Sequence, residues 1–222
     1  MLTKNYTSHA KINLGLQVLN KRCDGYHNIH SLFVELDYSD ELLLTPSSSF
    51  NLTADCLDFI EIPLDESNLI AKAYKLIRSQ GKNISTEFTI HVKKKIPTGS
   101  GLGGGSSNAA TTLKALNSLW KINILPEELE TLGLKLGSDV PFFIRGGVQL
   151  VEGIGDKLTS FNPSLLNGLY FLLVVPPFHI STPWAYTALN KTLQPDETRH
   201  KFSPLSNQLK WELFENDFER II

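Results

Sequence analysis

Between Ser8 and Val18, apolar side chains at Ala10, Ile12, Leu14, Leu16 and Val18 alternate with His9, Lys11, Asn13, Gly15 and Gln17. A period of two belongs to a half-buried β-strand, so Lys11 and Asn13 are expected on its polar face. Asp24-Gly25 then supplies a turn signal, and the apolar-rich segment Ile29 to Leu36 returns as the second strand of a hairpin, with Tyr26 and His27 beside the turn. Asp65 to Asn68 reads as a helix start, with Ser67 or Asn68 as cap ahead of the stripe Leu69, Ala73, Leu76 and Ile77. Alternation resumes at Phe88, Ile90 and Val92 and predicts a strand from Phe88 to Ile96, closed by Pro97.

Past a cluster of glycines, Ala109, Leu113, Leu116 and Trp120 recur at helical spacing. A further helix is predicted from Pro126 to Gly137, with Glu127 and Glu128 in the first turn where the helix dipole favours them and Asp139 just past its end. Val148 to Glu152 and Leu169 to Val175 are predicted strands, the latter buried. Phe214 to Ile222 resumes a helical pattern, and the closing run WELFENDFERII carries no Gly, Pro or Lys stop signal, which predicts polypeptide beyond Ile222.

Composition narrows the function classes. The chain has 222 residues, 41% of them hydrophobic, enough for one large domain or two small ones. Its 21 basic and 23 acidic residues give a formal charge of -2, so no global field recruits nucleic acid or an anionic membrane, and an anionic ligand has to be held locally. Cys23 and Cys56 are too few for a disulfide framework and lack CxxC spacing, which points to a reducing, cytoplasmic setting. The amino terminus, MLTKNYTSHAKINLGLQVL, has no continuous apolar run, so no signal peptide is read there. The longest apolar stretch, Leu169 to Val175, is far short of the roughly 20 residues that cross a bilayer. His27 and His30 lack a thiol or carboxylate partner at zinc spacing, and no metal cluster is read from the histidines.

The chemistry is concentrated in residues 97–110, Pro-Thr-Gly-Ser-Gly-Leu-Gly-Gly-Gly-Ser-Ser-Asn-Ala-Ala, which pack Gly99, Gly101, Gly103, Gly104 and Gly105 into seven positions at the mouth of a helix. Glycine lets backbone N–H groups approach a phosphate closely, and a helix amino terminus adds unpaired donors and a favourable dipole. A Walker A loop would need lysine after the last glycine, and Ser106 stands there. Gly99, Gly101 and Gly104 satisfy GxGxxG, but a Rossmann unit needs an acidic residue roughly 20 positions on, where Trp120 and Lys121 lie instead. The HRD and DFG strings of protein kinases do not occur. A plain flexible linker is disfavoured, because a regular strand and an amphipathic helix bracket the loop.

The run PTGSGLGGGSSNAA resembles the second signature motif of the GHMP kinases. Within that superfamily, AKINLGL, RCDGYHNIHSLF, GSDVPFF and STPWAY are similar to the 4-diphosphocytidyl-2-C-methyl-D-erythritol kinase family, over about Lys11 to Asn216. The resemblance implies an α+β GHMP kinase fold: an amino-terminal ATP-binding domain like ribosomal protein S5 domain 2, over residues 1–161, and a ferredoxin-like carboxyl-terminal domain from 162 to 222. By this resemblance the second domain is expected to be incomplete, since the family's last glycine-rich motif has no counterpart before Ile222. It further implies ATP, with Mg2+, as phosphoryl donor to a small cytidyl diphosphate substrate, and no nucleic acid or membrane partner. Another GHMP kinase, of the homoserine or mevalonate type, and a catalytically silent nucleotide-binding module are the alternatives, and the DGYHNIHSLF block speaks against the first of them.

By the same resemblance Lys11 and Asp139 are the catalytic pair, although a strand lysine is ordinarily solvated and an aspartate before Val140-Pro141 ordinarily forms a turn. Pro97, Gly99, Gly101, Leu102, Gly103, Gly104, Gly105, Ser106, Ser107 and Asn108 would hold phosphate, and Asn68 and Leu69 would present backbone groups to adenine. Lys94 would reach a phosphate, whereas a run of Lys93, Lys94 and Lys95 is usually a solvated edge. Ser106 and Ser107 would also serve as helix caps. Asn13, Tyr26, His27, Thr182 and Tyr186 correspond to the substrate side, with His27 on the cytosine edge and Tyr186, or else Trp184, stacked on the ring.

Overall fold

The computed structural model describes residues 2–57, 61–82, 84–176, 180–189 and 214–221. The chain divides into two compact units, Met1–Lys11 with Glu35–Gly146 and Ile12–Val34 with Gly147–Ile222. Two long strands, β1 (Lys4–Lys21) and β2 (His27–Ser47), contribute to both.

In the first unit the carboxyl-terminal half of β2 pairs antiparallel with β4 (Glu87–Lys94), placing Leu44 opposite Ile90. β4 in turn pairs parallel with β3 (Asn51–Cys56), an edge strand with Leu52 opposite Ile90. Helices α1 (Leu69–Arg78) and α2 (Gly104–Leu119) pack on each other, and α4 (Val140–Arg145) packs on both α2 and α3 (Pro126–Leu134). Leu42, Leu44, Phe88 and Ile90 of the strands and Ile70, Ile77, Leu113 and Leu116 of the helices are buried. Each such side chain contributes roughly 1.5–3 kcal/mol relative to exposure, so the alternation read in β4 and the helical stripes are the fold's main stabilising pattern.

Asn68, not Ser67, caps α1: its backbone is extended and its side-chain oxygen accepts from the Ile70 N–H at 2.8 Å. Helix α3 ends at Leu134, short of Gly137, although the Gly137 N–H still bonds to Gly133 O at 3.3 Å. Asp139 lies at the start of α4, an element with no periodic signal of its own.

In the second unit the predicted hairpin is present. β1 pairs with β2, the Arg22 N–H bonds to Tyr26 O at 2.8 Å, and the Asp24 carboxylate accepts from the Tyr26 N–H and the Arg22 guanidinium. Gly25, with φ +86°, makes the left-handed step that closes the turn. The first half of β2 pairs antiparallel with β5 (Val148–Gly153), and β5 with β6 (Lys157–Ser160). A short 3-10 turn (Pro163–Leu166) and α5 (Thr182–Leu189) follow.

Three expectations are corrected. Leu169–Val175 is not a buried strand: no described strand pairs with it, and Tyr170, Leu172 and Val174 are 96%, 90% and 79% exposed. An apolar run becomes a strand only when a neighbour takes up its backbone N–H and C=O groups. The helical pattern from Phe214 shrinks to one 3-10 turn (Asp217–Arg220), because Asn216 caps it at once and the buried Asp217 carboxylate accepts from the Val18 N–H at 2.7 Å. Trp211 to Leu213, the start of the closing run, and Ile222, its last residue, lie outside the described residues. Third, β1 is not half exposed: Lys11 and Gln17, both in the polar phase, are buried. Among the described residues no helix is long and apolar enough to cross a membrane.

Candidate active site

The predicted phosphate cradle lies wholly in the first unit. Gly99, Gly101 and Gly103 all have positive φ, and Gly103 is the residue immediately before α2. At Gly103 a Cβ would stand 2.7 Å from the Phe143 ring and 3.2 Å from the Lys11 side chain, so only glycine fits between loop, α4 and β1 without displacing a neighbour. The first N–H groups of α2, at Gly104, Gly105 and Ser106, belong to the turn that has no intrahelical acceptor, which makes this end a donor array for an anion. Pro97 O and the Ser100 hydroxyl brace the loop's start through a 2.8 Å hydrogen bond. Leu102 is buried, and its carbonyl accepts from the Lys11 N–H at 2.9 Å. Leu69 reaches the loop as well, with Cδ1 at 3.4 Å from where a Cβ of Gly105 would be, so the start of α1 and the start of α2 meet there.

Lys11 and Asp139 come together at this loop. The Lys11 Nζ lies 3.7 Å from Asp139 Oδ2, with side chains 7% and 30% exposed. That separation is an ion pair rather than a hydrogen bond. Although Asp139 immediately precedes α4, its side chain makes no capping hydrogen bond, so the carboxylate is turned to the lysine rather than used up by the helix.

Ser107, Asn108 and Lys94 are placed differently from Ser106. Ser107 and Asn108 are buried, the Ser8 hydroxyl donates to Ser107 Oγ at 2.8 Å, and Asn108 Nδ2 donates to Ser8 Oγ and to Asp40 Oδ2, each at 2.9 Å. Lys94 is no solvated edge: its ammonium is buried, donates to the fully buried Asp40 carboxylate, and lies 2.8 Å from where a Cβ of Gly104 would be. Burial pulls the Lys94 pKa down, with the Asp40 charge opposing it. An ammonium carries three donors, so the contact with Asp40 leaves Lys94 further N–H groups beside Gly104. Ser106 is half-buried, and its hydroxyl lies on the Gly137 side, 3.8 Å from where a Cβ of that glycine would be.

The residues expected to meet a cytidyl group all fall in the second unit. The His27 ring is buried and stacks on Tyr186 with centroids 5.1 Å apart and planes 17° apart. Tyr186 meets Phe218 edge-on at 5.1 Å. Asn13 is half-buried, Tyr26 and Trp184 are exposed, and Thr182 opens α5.

Sequence reasoning passed over Asp40 and Ser8. A signal existed: Asp40 is in phase with Leu42 and Leu44, as Ser8 is with Ala10 and Lys94 with Ile90 and Val92, so each is a polar residue on the apolar face of its strand.

Residues 68–147 match the family model described as GHMP kinases N terminal domain, a span that covers α1, the glycine loop and Asp139. The chain is 42% identical to the 4-diphosphocytidyl-2-C-methyl-D-erythritol kinase of Marinobacter nauticus over 85% of this chain and 64% of that protein. It is 39% identical to that of Chlorobium limicola over 99% of this chain and 76% of that protein. A crystal structure of 4-(cytidine 5'-diphospho)-2C-methyl-D-erythritol kinase superposes with a TM-score of 0.66 at 33% identity, covering 84% of this chain and 64% of that one. The chain thus spans about two thirds to three quarters of the length of these relatives. With the glycine loop, the Lys11–Asp139 pair and these likenesses agreeing, the chain has the GHMP kinase fold and belongs to the 4-diphosphocytidyl-2-C-methyl-D-erythritol kinase family.

Proposed function

We propose that this chain transfers the γ-phosphoryl group of ATP to a hydroxyl of 4-diphosphocytidyl-2-C-methyl-D-erythritol, giving the 2-phosphate and ADP in the non-mevalonate route to isoprenoid precursors. The observation that carries this reading is the Lys11–Asp139 ion pair set against a left-handed glycine loop at the start of α2. Phosphoryl transfer asks a protein for positioning and charge neutralisation more than for covalent chemistry. The acceptor oxygen bonds to the γ-phosphorus as the bond to the β-bridging oxygen breaks. Asp139 takes the hydroxyl proton, and the Lys11 ammonium stabilises the charge that develops on the transferring group. The backbone donors of Gly103 to Ser106 and the Ser106 hydroxyl hold the polyphosphate, with Asn68 and Leu69 on the adenine side.

Mg2+ would arrive on the nucleotide's own phosphates and would supply charge neutralisation there. His27 and Tyr186, already ring against ring, supply the flat surface and hydrogen-bonding edge that a cytosine needs, with Asn13, Tyr26 and Thr182 as further substrate contacts.

The test is ADP release from Mg-ATP by the purified chain with 4-diphosphocytidyl-2-C-methyl-D-erythritol, homoserine or mevalonate. Release is expected with the cytidyl substrate only. Release with homoserine or mevalonate instead overturns the substrate assignment, and ATP binding with no release from this chain or from one extended at its carboxyl end overturns the activity.

A further inference from the structure

Asp40 is fully buried, and every hydrogen-bonding direction of its carboxylate is taken by a group at one end or the other of the glycine loop. Oδ1 accepts from the Lys95 N–H at 2.7 Å and the Ile96 N–H at 2.8 Å, the last residues before Pro97. Oδ2 accepts from the Lys94 ammonium and, at 2.9 Å, from Asn108 Nδ2 in the second turn of α2. Asn108 Nδ2 also donates to Ser8 Oγ, which donates to Ser107, so the same set reaches β1 three residues before Lys11. One carboxylate therefore pins the chain where it enters the loop and where it leaves. It also neutralises a cation lodged beneath Gly104, at the end of α2 that must receive a phosphate.

We propose that Asp40 is the positioning residue of the nucleotide site: it holds residues 97–107 in a phosphate-ready shape before ATP arrives. Five glycines in seven positions would otherwise sample many conformations, and fixing them on binding would cost affinity. Asp40 touches neither the nucleotide nor the reacting atoms, and its effect passes through the loop. The inference deepens the kinase reading and depends on it for the ATP measurements.

The discriminating variant is Asp40→Asn. An asparagine keeps the size and the oxygen that faces the Lys95 and Ile96 amides, but turns an N–H2 toward two donors, Lys94 and Asn108, and leaves the ammonium unpaired. The expected result is a KM for Mg-ATP raised about tenfold or more, the affinity a preorganised loop supplies, with the KM for the cytidyl substrate within about twofold. Amide hydrogen exchange at Gly99 to Ser107 should quicken about tenfold or more in the ligand-free protein while β3 and β4 stay protected. A merely structural role would lower kcat with the fraction folded and leave the KM for ATP alone. An unchanged KM for ATP with unchanged loop exchange overturns the proposal, and so does exchange that rises equally across β3, β4 and the loop. Asn108→Ala, which releases only the far end and leaves Asp40 and Lys94 paired, carries the same test if Asp40→Asn does not fold. Exchange needs no ligand, so if neither the wild-type chain nor one extended at its carboxyl end released ADP, the kinase reading would fail while the loop comparison still decided this one.

Discussion

Two lysine–aspartate pairs in the first unit lie against the same glycine loop, Lys11 by Gly103 and Lys94 by Gly104, and their surroundings set them apart. Lys94 and Asp40 are buried to 2% and 0% exposure, in hydrogen-bond contact, with the carboxylate shared among four donors. Lys11 and Asp139 stand 3.7 Å apart, and the carboxylate keeps 30% of its surface. The same two side chains, satisfied and sealed, act as a fastening. In the proposed mechanism the second pair, whose carboxylate is partly exposed, takes the hydroxyl proton and meets the developing charge. Both lysines are buried, and the clearest difference is between the two carboxylates: Asp40 is sealed and shared among four donors, whereas Asp139 stays partly exposed.

The largest effect should come from the open pair. Asp139→Ala and Lys11→Ala are each expected to lower turnover by about 10²–10⁴-fold, the usual contribution of a positioned proton acceptor or charge stabiliser, while thermal melting shows the protein still folded. Wild-type turnover in either purified variant removes that residue from the mechanism. The sealed pair should respond in the opposite sense. Asp40→Ala strands a buried ammonium and is expected to cost about 3–5 kcal/mol of stability in urea unfolding. If it cost no more than Asp139→Ala, the contrast between the pairs would collapse.

A smaller effect is expected in the loop itself. Gly103→Ala combines a left-handed φ of 73° with a Cβ 2.7 Å from the Phe143 ring, and the backbone alone costs about 1–2 kcal/mol. It should raise the KM for ATP and displace Lys11, whereas Gly101→Ala, whose Cβ would meet nothing within 4 Å, should show the backbone cost without the displacement.

The smallest effect is one of pH. Burial lowers the Lys94 pKa below that of an unfolded lysine. In the window between the folded and unfolded values the unfolded chain therefore binds more protons, and stability should rise with pH there. The difference in urea midpoint between wild type and Lys94→Met should shift in favour of wild type from about pH 8 to about pH 10, below the ordinary lysine pKa. A constant difference would mean that Lys94 does not titrate in that range.

Much of the site was readable without coordinates, because it consists of local chemistry. The glycine spacing, the helix stripe behind it and the Asn68 cap are set by residues a few positions apart, and each formed where its pattern placed it. Leu169–Val175 shows the limit of the same method. Hydrophobicity predicts a tendency to burial, but a strand is a property of two segments, and no described partner pairs with this one.

By itself, then, the sequence determined the hairpin and the strand–loop–helix arrangement around the glycines, since period and turn chemistry are short-range. The tertiary structure alone decided which lysine meets which aspartate. Lys11 and Asp139 are 128 positions apart, and Asp40, Lys94 and Asn108 come from three different elements. Whether a charge is sealed or open depends on what packs over it, and for these pairs that covering comes from strands and helices distant in the chain.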